Sequence, residues 1–258
     1  MLKLSKTAVV LLSGGLDSST LLYLAKKNGY KCRCLIFDYG QRHKKEIISA
    51  KLIAKSAGCN YQILKINFPW KGSSLLDKSE NIPVNPVRDN GRFANKDDGI
   101  TLPFNSMISI RRQESAAFSN GVNENPLKLK KIPSTYIPGR NTVFISFALS
   151  FAEKIRASAI FIGANAVDFS GYPDCRPQYF RAWQNLVHSL GLKIKVLTPL
   201  INLSKARIVK LGKKMDVPFG LTWSCYKGKK KPCGICDSCR FREKGFLAAH
   251  LEDPLMKR

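Results

Sequence analysis

The apolar run Thr7-Ala8-Val9-Val10-Leu11-Leu12 reads as a buried strand, and two further strands follow at Lys31 to Phe37 and Tyr61 to Ile66. Between them, over Asp17 to Asn28 and Gln41 to Ala57, apolar residues recur at helical spacing. Gly29 and Gly58 stand just beyond, where a helix C-terminus favours a left-handed residue. Three strands alternating with two helices predict a parallel sheet with helices on both faces.

The periodicity fades from Pro69 to Pro138, where Pro83, Pro86, Pro103, Pro126 and Pro133 interrupt the pattern. Residues 69–135 therefore read as an irregular insertion, with partial order expected around Ile108 to Phe118. Regularity returns with a helix from Asn141 to Ala157, a strand from Ala159 to Gly163, a helix from Pro177 to Leu190 and a strand from Lys193 to Leu197. A last core helix, Lys205 to Met215, follows Ser204, a good N-cap. The expected organisation is a doubly wound α/β domain over residues 1–218 and a small C-terminal tail over 219–258.

Ser13-Gly14-Gly15-Leu16-Asp17-Ser18-Ser19 lies between the first strand and the first helix. Paired glycines there let backbone amides close around an anion at the positive end of the helix, which makes it a phosphate site. The Gly-Lys-Ser/Thr ending of a P-loop is absent, as is the dinucleotide Gly-x-Gly-x-x-Gly pattern. Asp17 would repel phosphate unless a divalent cation lay between them, so magnesium is implied with the nucleotide. Asp17 and Ser18 equally suit a helix N-terminus, by complementing its dipole and capping its amides.

Composition narrows the class. The 258 residues are 44% hydrophobic, enough for a proper core. The longest apolar runs, such as Val143 to Ala152, fall short of a membrane span, and the N-terminus lacks signal-peptide architecture, so a cytoplasmic protein is expected. A net charge of +25 usually points to nucleic acid. Here the lysines are scattered over helix faces (Lys26, Lys27, Lys44, Lys45, Lys51, Lys55, Lys205, Lys210, Lys213, Lys214) and dense only at Lys128 to Lys131 and Lys227 to Lys231. They read as a solvated background, and direct nucleic-acid binding is not expected.

Four of the eight cysteines, Cys225, Cys233, Cys236 and Cys239, cluster in the tail, while Cys32, Cys34, Cys59 and Cys175 are dispersed. Four soft ligands around Gly234 can converge on one tetrahedral ion, with zinc the natural occupant and an iron–sulfur cluster the rival. A fully ligated zinc leaves no open position, which makes the site structural.

Three other strings sit where strands should deliver chemistry. Asp38-Tyr39-Gly40-Gln41-Arg42-His43 follows the second strand, and Tyr136-Ile137-Pro138-Gly139-Arg140-Asn141 opens a helix with an arginine able to neutralise phosphate. The loop Gly163 to Arg176 carries Asp168, Tyr172, Asp174 and Arg176. Ligands of such sheets bind at the carboxyl ends of the strands.

The Ser-Gly-Gly-x-Asp-Ser loop resembles that of the PP-loop ATP pyrophosphatases, which split ATP into AMP and pyrophosphate. Taken in order, Ser-Gly-Gly-Leu-Asp-Ser, Asp-Tyr-Gly-Gln-Arg-His, Pro-Gly-Arg-Asn, Gly-Ala-Asn-Ala-x-Asp-x-Ser-Gly-Tyr-Pro-Asp-Cys-Arg, Thr-Trp-Ser-Cys-Tyr and Pro-Cys-Gly-Ile-Cys-Asp-Ser-Cys are similar to the 7-cyano-7-deazaguanine synthase family. That resemblance implies a fold like the adenine nucleotide alpha hydrolases with a zinc-binding tail, in a cytoplasmic homodimer of queuosine biosynthesis. It implies ATP, magnesium and one structural zinc, and conversion of 7-carboxy-7-deazaguanine and ammonia to the nitrile. The stretch from Pro69 to Lys131 departs from it, being longer than is usual in the family.

On this reading Leu12, Ser13, Gly14, Gly15, Leu16, Asp17, Ser18, Ser19, Thr20, Leu21 and Leu22 hold the nucleotide. Ser13, Asp17, Ser18 and Arg140 serve catalysis. Asp174, with Asp168 as runner-up, accepts the N–H edge of the base, Tyr172 stacks on it and Arg176 faces its carboxylate. Cys225, Cys233, Cys236 and Cys239 hold the metal. The chain has no room for a glutaminase domain, so ammonia is expected from solution or a separate partner. A tRNA-thiolating PP-loop enzyme, with Cys175 carrying sulfur, is the main rival, and a zinc-ribbon nucleic-acid binder is a more distant one.

Overall fold

A computed structural model describes residues 6–70, 72–77, 79–82, 132–167 and 172–256. Five parallel strands, β1 (Thr7–Leu11), β2 (Lys31–Asp38), β3 (Asn60–Lys65), β4 (Ala159–Phe161) and β5 (Lys195–Leu197), form a sheet in the order β3-β2-β1-β4-β5. The order reverses at β1, so the carboxyl ends of β1 and β4 flank a topological switch point.

Alternation along each strand assigns the two faces. Ala8, Val10, Cys32, Cys34, Ile36, Ala159 and Phe161 turn one way, and meet α1 (Leu16–Lys27), α2 (Lys45–Ser56), α5 (Lys205–Lys214) and α6 (Asp237–Ala248). Val9, Leu35, Phe37, Ile160 and Val196 turn the other way, against α3 (Arg140–Lys154) and α4 (Pro177–Ser189). Burial of β1 and β4 on both faces is what their uninterrupted apolar runs require.

Helix α2 begins at Lys45 rather than at Gln41. The Gln41 side chain accepts the Tyr39 N–H at 2.9 Å and donates to the Phe37 carbonyl at 3.3 Å, so it closes a turn that a helix would open. Helix α3 gains Arg140 and stops at Lys154, because Gly139 takes φ +67° before it and Arg156 takes φ 51° after it. The order expected around Ile108 to Phe118 lies outside the described residues, as does most of the 69–135 insertion.

The tail does not stand apart from the sheet. Phe246 and Ala249 belong to the same core as β1 and α1, and Phe219 meets Phe246 edge to face with ring centroids 5.2 Å apart. A buried ion pair pins the end of the chain. Arg242, 3% exposed at its side chain, donates to both Asp253 carboxylate oxygens at 2.6 and 2.8 Å, and also to Thr222 and Phe219.

Candidate active site and four-cysteine centre

A cavity of about 270 Å³ opens at the switch point. Leu12, Ser13, Gly15, Leu16, Asp17 and Ser18 form its floor, and Tyr39, Arg140, Tyr172, Cys175, Lys205, Trp223 and Tyr226 line it above.

The floor is built by glycine. Gly14 takes φ +79°, and a Cβ there would sit 2.4 Å from Ala50 N and 2.5 Å from the Glu46 carbonyl, so α2 crosses the turn at a distance only glycine permits. A Cβ on Gly163 would lie 3.2 Å from the Ser18 amide, so the end of β4 also delivers bare backbone to the head of α1. Gly15 is the N-cap of α1 and offers no capping side chain. The first-turn amides therefore face the cavity uncapped, the arrangement that suits an anion. Ser13 Oγ and Ser18 Oγ lie 2.9 Å apart and brace the turn.

The rest of the expected nucleotide segment goes elsewhere. Ser19, Thr20, Leu21 and Leu22 are fully buried on the inner side of α1, with both leucines in the main core. They are absent from the cavity wall. A glycine-turn sequence marks where the loop starts; the helical period decides which later residues turn inward.

Lys205, read from sequence as a solvated helix-face lysine, lines the cavity, and its Nζ donates to both Asp17 carboxylate oxygens at 2.7 Å. Glu46, also unremarked in the sequence, lines the cavity too. Burial pushes its carboxyl up to about 7, against the pull of Arg140.

Of the Asp38-to-His43 string, Tyr39 and Gln41 reach the cavity and the rest is scaffold. Arg42 donates to the carbonyls of Ser74 at 3.1 Å and Glu80 at 2.8 Å, Lys44 pairs with Asp38 at 2.5 Å, and His43 packs where a Cβ on Gly228 would strike its ring.

Arg140 lies 5.7 Å from the Tyr39 ring centroid. Tyr172 lines the cavity with its hydroxyl bonded to Thr135. Asp174 is 5% exposed and stands behind the wall, its carboxylate accepting the Asn141 N–H at 3.3 Å at the head of α3. Contact between Asp174 and a base edge would require that bond to be exchanged. Arg176 is exposed and outside the lining, and Asp168 lies outside the described residues. Cys175 lines the cavity; burial, followed by the Asp174 charge, pushes its thiol up to about 12.

The four tail cysteines converge. Their sulfurs all lie within 4.8 Å of one another, with Cys233 and Cys239 4.0 Å apart, close to the edge of a tetrahedron around one ion. Gly234 takes φ +71°, which turns the Cys236 N–H onto Cys233 Sγ at 3.4 Å, while the Cys233 N–H reaches Cys225 Sγ at 3.4 Å. This donor set fits a closed, structural metal site.

No helix among the described residues is long and apolar enough to cross a membrane. Two relatives resemble the chain over nearly its whole length. The 7-cyano-7-deazaguanine synthase of Nostoc sp. is 44% identical, with 96% of each chain covered, and that of Thermoplasma volcanium is 45% identical over 97% of this chain and 90% of the other. Coverage of this extent leaves no room for a large lengthening between Pro69 and Lys131 relative to the Nostoc protein. Among solved structures, an NMN synthetase from Francisella tularensis aligns with 96% of this chain and 78% of its own, at 14% identity and a TM-score of 0.43. The family model described as queuosine biosynthesis protein QueC matches residues 7–250, and the chain belongs to that family.

Proposed function

We propose that the protein converts 7-carboxy-7-deazaguanine and ammonia to 7-cyano-7-deazaguanine at the expense of ATP, in keeping with the 7-cyano-7-deazaguanine synthase name its relatives carry. The observation that carries this reading is the uncapped head of α1 at the sheet's switch point, next to a cavity of cationic and aromatic side chains.

A carboxylate is a poor electrophile, but its mixed anhydride with AMP has a good leaving group. The base carboxylate attacks the α-phosphorus and expels pyrophosphate, and ammonia then displaces AMP to give the amide. The amide oxygen attacks a second ATP in the same way. Loss of AMP together with both nitrogen-bound protons of the amide leaves C≡N. The amides of the Ser13–Ser18 loop bind phosphate, Arg140 in the cavity lining meets developing negative charge, and Tyr172 offers a ring to the base. Positioning and electrostatic stabilisation supply this catalysis without a protein nucleophile.

Magnesium, held by Asp17 with the nucleotide, would neutralise phosphate charge, and zinc on Cys225, Cys233, Cys236 and Cys239 would fold the tail. The cavity walls favour the nitrile synthase over a thiolating enzyme. Thiol transfer needs a thiolate, and Cys175 is held protonated by its burial. Chromatography of nucleotide products tests the reading. AMP should form only when the 7-carboxy base is present; ADP as the product, or base-independent AMP, would refute it.

A further inference from the structure

Three cysteines outside the tail meet at the amino end of the sheet. Cys32 and Cys34 of β2 turn to the side packed by α1 and α2, and Cys59 stands one residue before β3. The register pairs Arg33 with Asn60 and Cys34 with Tyr61, so one residue earlier Cys59 lies beside Cys32. Neighbouring strands are about 4.8 Å apart, inside the roughly 4.4–6.8 Å between Cα atoms that a disulfide spans. The thiols are already in contact, with Cys59 Sγ hydrogen-bonded to both Cys32 and Cys34. Neither the catalytic cavity nor the four-cysteine centre includes any of the three. Burial separates their roles. Cys32 and Cys34 are buried, whereas Cys59 is half-buried and, with Cys34, lines a groove of about 900 Å³ along the edge strand β3. Lys31, Lys51 and Lys55 line the same groove, and cations at that range favour a thiolate. The hydrogen bonds from Cys32 and Cys34, joined by the charge of Lys26, hold the Cys59 thiol below its ordinary range against the effect of burial. Packing alone asks only for a small apolar residue at each position.

We propose that Cys59 is a site of reversible oxidation by hydrogen peroxide, closing a disulfide to one of the two β2 thiols it touches, Cys32 or Cys34. The Cys59 thiolate attacks a peroxide oxygen and the O–O bond breaks, which leaves a sulfenic acid on Cys59 and a hydroxide that takes up a proton. The neighbouring thiol then attacks the sulfenic sulfur. The S–S bond forms, the S–O bond breaks and a second water departs. Two thiols give up two electrons and two protons, and one peroxide becomes two waters. The groove gives the oxidant its path to Cys59, and the strand register supplies the resolving thiol without movement of the backbone. Cys32 is the second residue of β2, while the catalytic cavity takes residues at and beyond the other end of that strand, Ile36, Phe37, Tyr39 and Gln41. The oxidation site is therefore separate from the synthase chemistry and does not depend on it.

Treatment of the metal-loaded full chain with hydrogen peroxide, then alkylation and non-reducing tryptic mass spectrometry, tests this. Cleavage after Lys31 and Arg33 separates Cys32 from Cys34, so the two possible links have different masses. Cys59 should become linked to β2 at least tenfold faster than Cys175 is modified, since burial pushes the Cys175 thiol up to about 12, and a dithiol reductant should restore all three cysteines. In Cys59→Ser, Cys32 and Cys34 should stay reduced under the same treatment. In the double variant Cys32→Ser with Cys34→Ser, checked for folding by thermal unfolding, Cys59 should persist as a sulfenic acid captured by dimedone. If that double variant does not fold, the parent and Cys59→Ser still decide. A Cys59 that stays reduced while Cys175 or the tail cysteines react overturns the proposal. So does a Cys59 linked to a second chain, or one that oxidises no faster than in the urea-unfolded chain.

Discussion

Trp223 donates its backbone N–H to the carbonyl of Gly14 at 2.9 Å, so the residue two positions before the first cysteine of the metal centre holds the glycine turn of the nucleotide loop. Lys45 of α2 lies over the Trp223 ring, 4.3 Å from its centroid, and α2 crosses Gly14 from the other side. The turn is gripped by two elements far apart in sequence. Gly14→Ala should therefore cost about 2–4 kcal/mol, combining left-handed strain with overpacking against backbone that cannot move aside. Denaturant unfolding measures this, and a loss under about 0.5 kcal/mol would show that α2 yields.

Removing a ligand from the four-cysteine centre should propagate to the same turn. Cys236→Ser is expected to release the metal and unfold the tail, because site and local fold form together. Metal analysis should find one zinc per parent chain and almost none in the variant. Iron with acid-labile sulfide would replace zinc by a cluster.

Asp17→Asn should keep the fold but abolish ATP-to-AMP turnover. The amide is nearly isosteric and its oxygen can still accept from Lys205 Nζ, which limits what this mostly buried pair loses in stability. The carboxylate's charge, by contrast, is what both of its cationic partners require. A folded variant with normal turnover would remove Asp17 from the chemistry.

Glu46 gives the site a pH signature. Burial raises its native pKa to about 7 from the ordinary 4.5, so between these values the native state holds a proton that the unfolded chain has released. Stability from this group is greatest below pH 4.5 and is lost as pH rises towards 7, by on the order of 1–3 kcal/mol. Denaturant unfolding of the parent and of Glu46→Gln across this window should give curves whose difference falls with rising pH. A pH-independent difference would place the carboxyl in water.

The strand-turn-helix unit at residues 7–27 was legible because each level of the sequence agrees there: an apolar run, paired glycines, an acidic first turn. The four cysteines were legible because thiols at so tight a spacing are suited above all to gripping a metal. Lys205 and Glu46 were not, since a lysine or glutamate at a helix N-terminus reads as solvated until the partner across the fold is known, and Asp17 lies 188 residues from Lys205. Ser19 to Leu22 were assigned to the site by adjacency, whereas the helical period buries them. Asp174 lies in a single 3-10 turn, Pro173–Cys175, and Arg176 directly follows it, too short a stretch to give a period from which to tell which side chains face the cavity.

The central claim concerns the bond made to nitrogen. Purified protein incubated with ATP, magnesium, 7-carboxy-7-deazaguanine and nitrogen-15 ammonium should yield 7-cyano-7-deazaguanine carrying one heavy nitrogen, with two AMP formed for each nitrile, as read by mass spectrometry of base and nucleotide. The amide alone as final product, one AMP per base, or a sulfur-containing product would contradict the account.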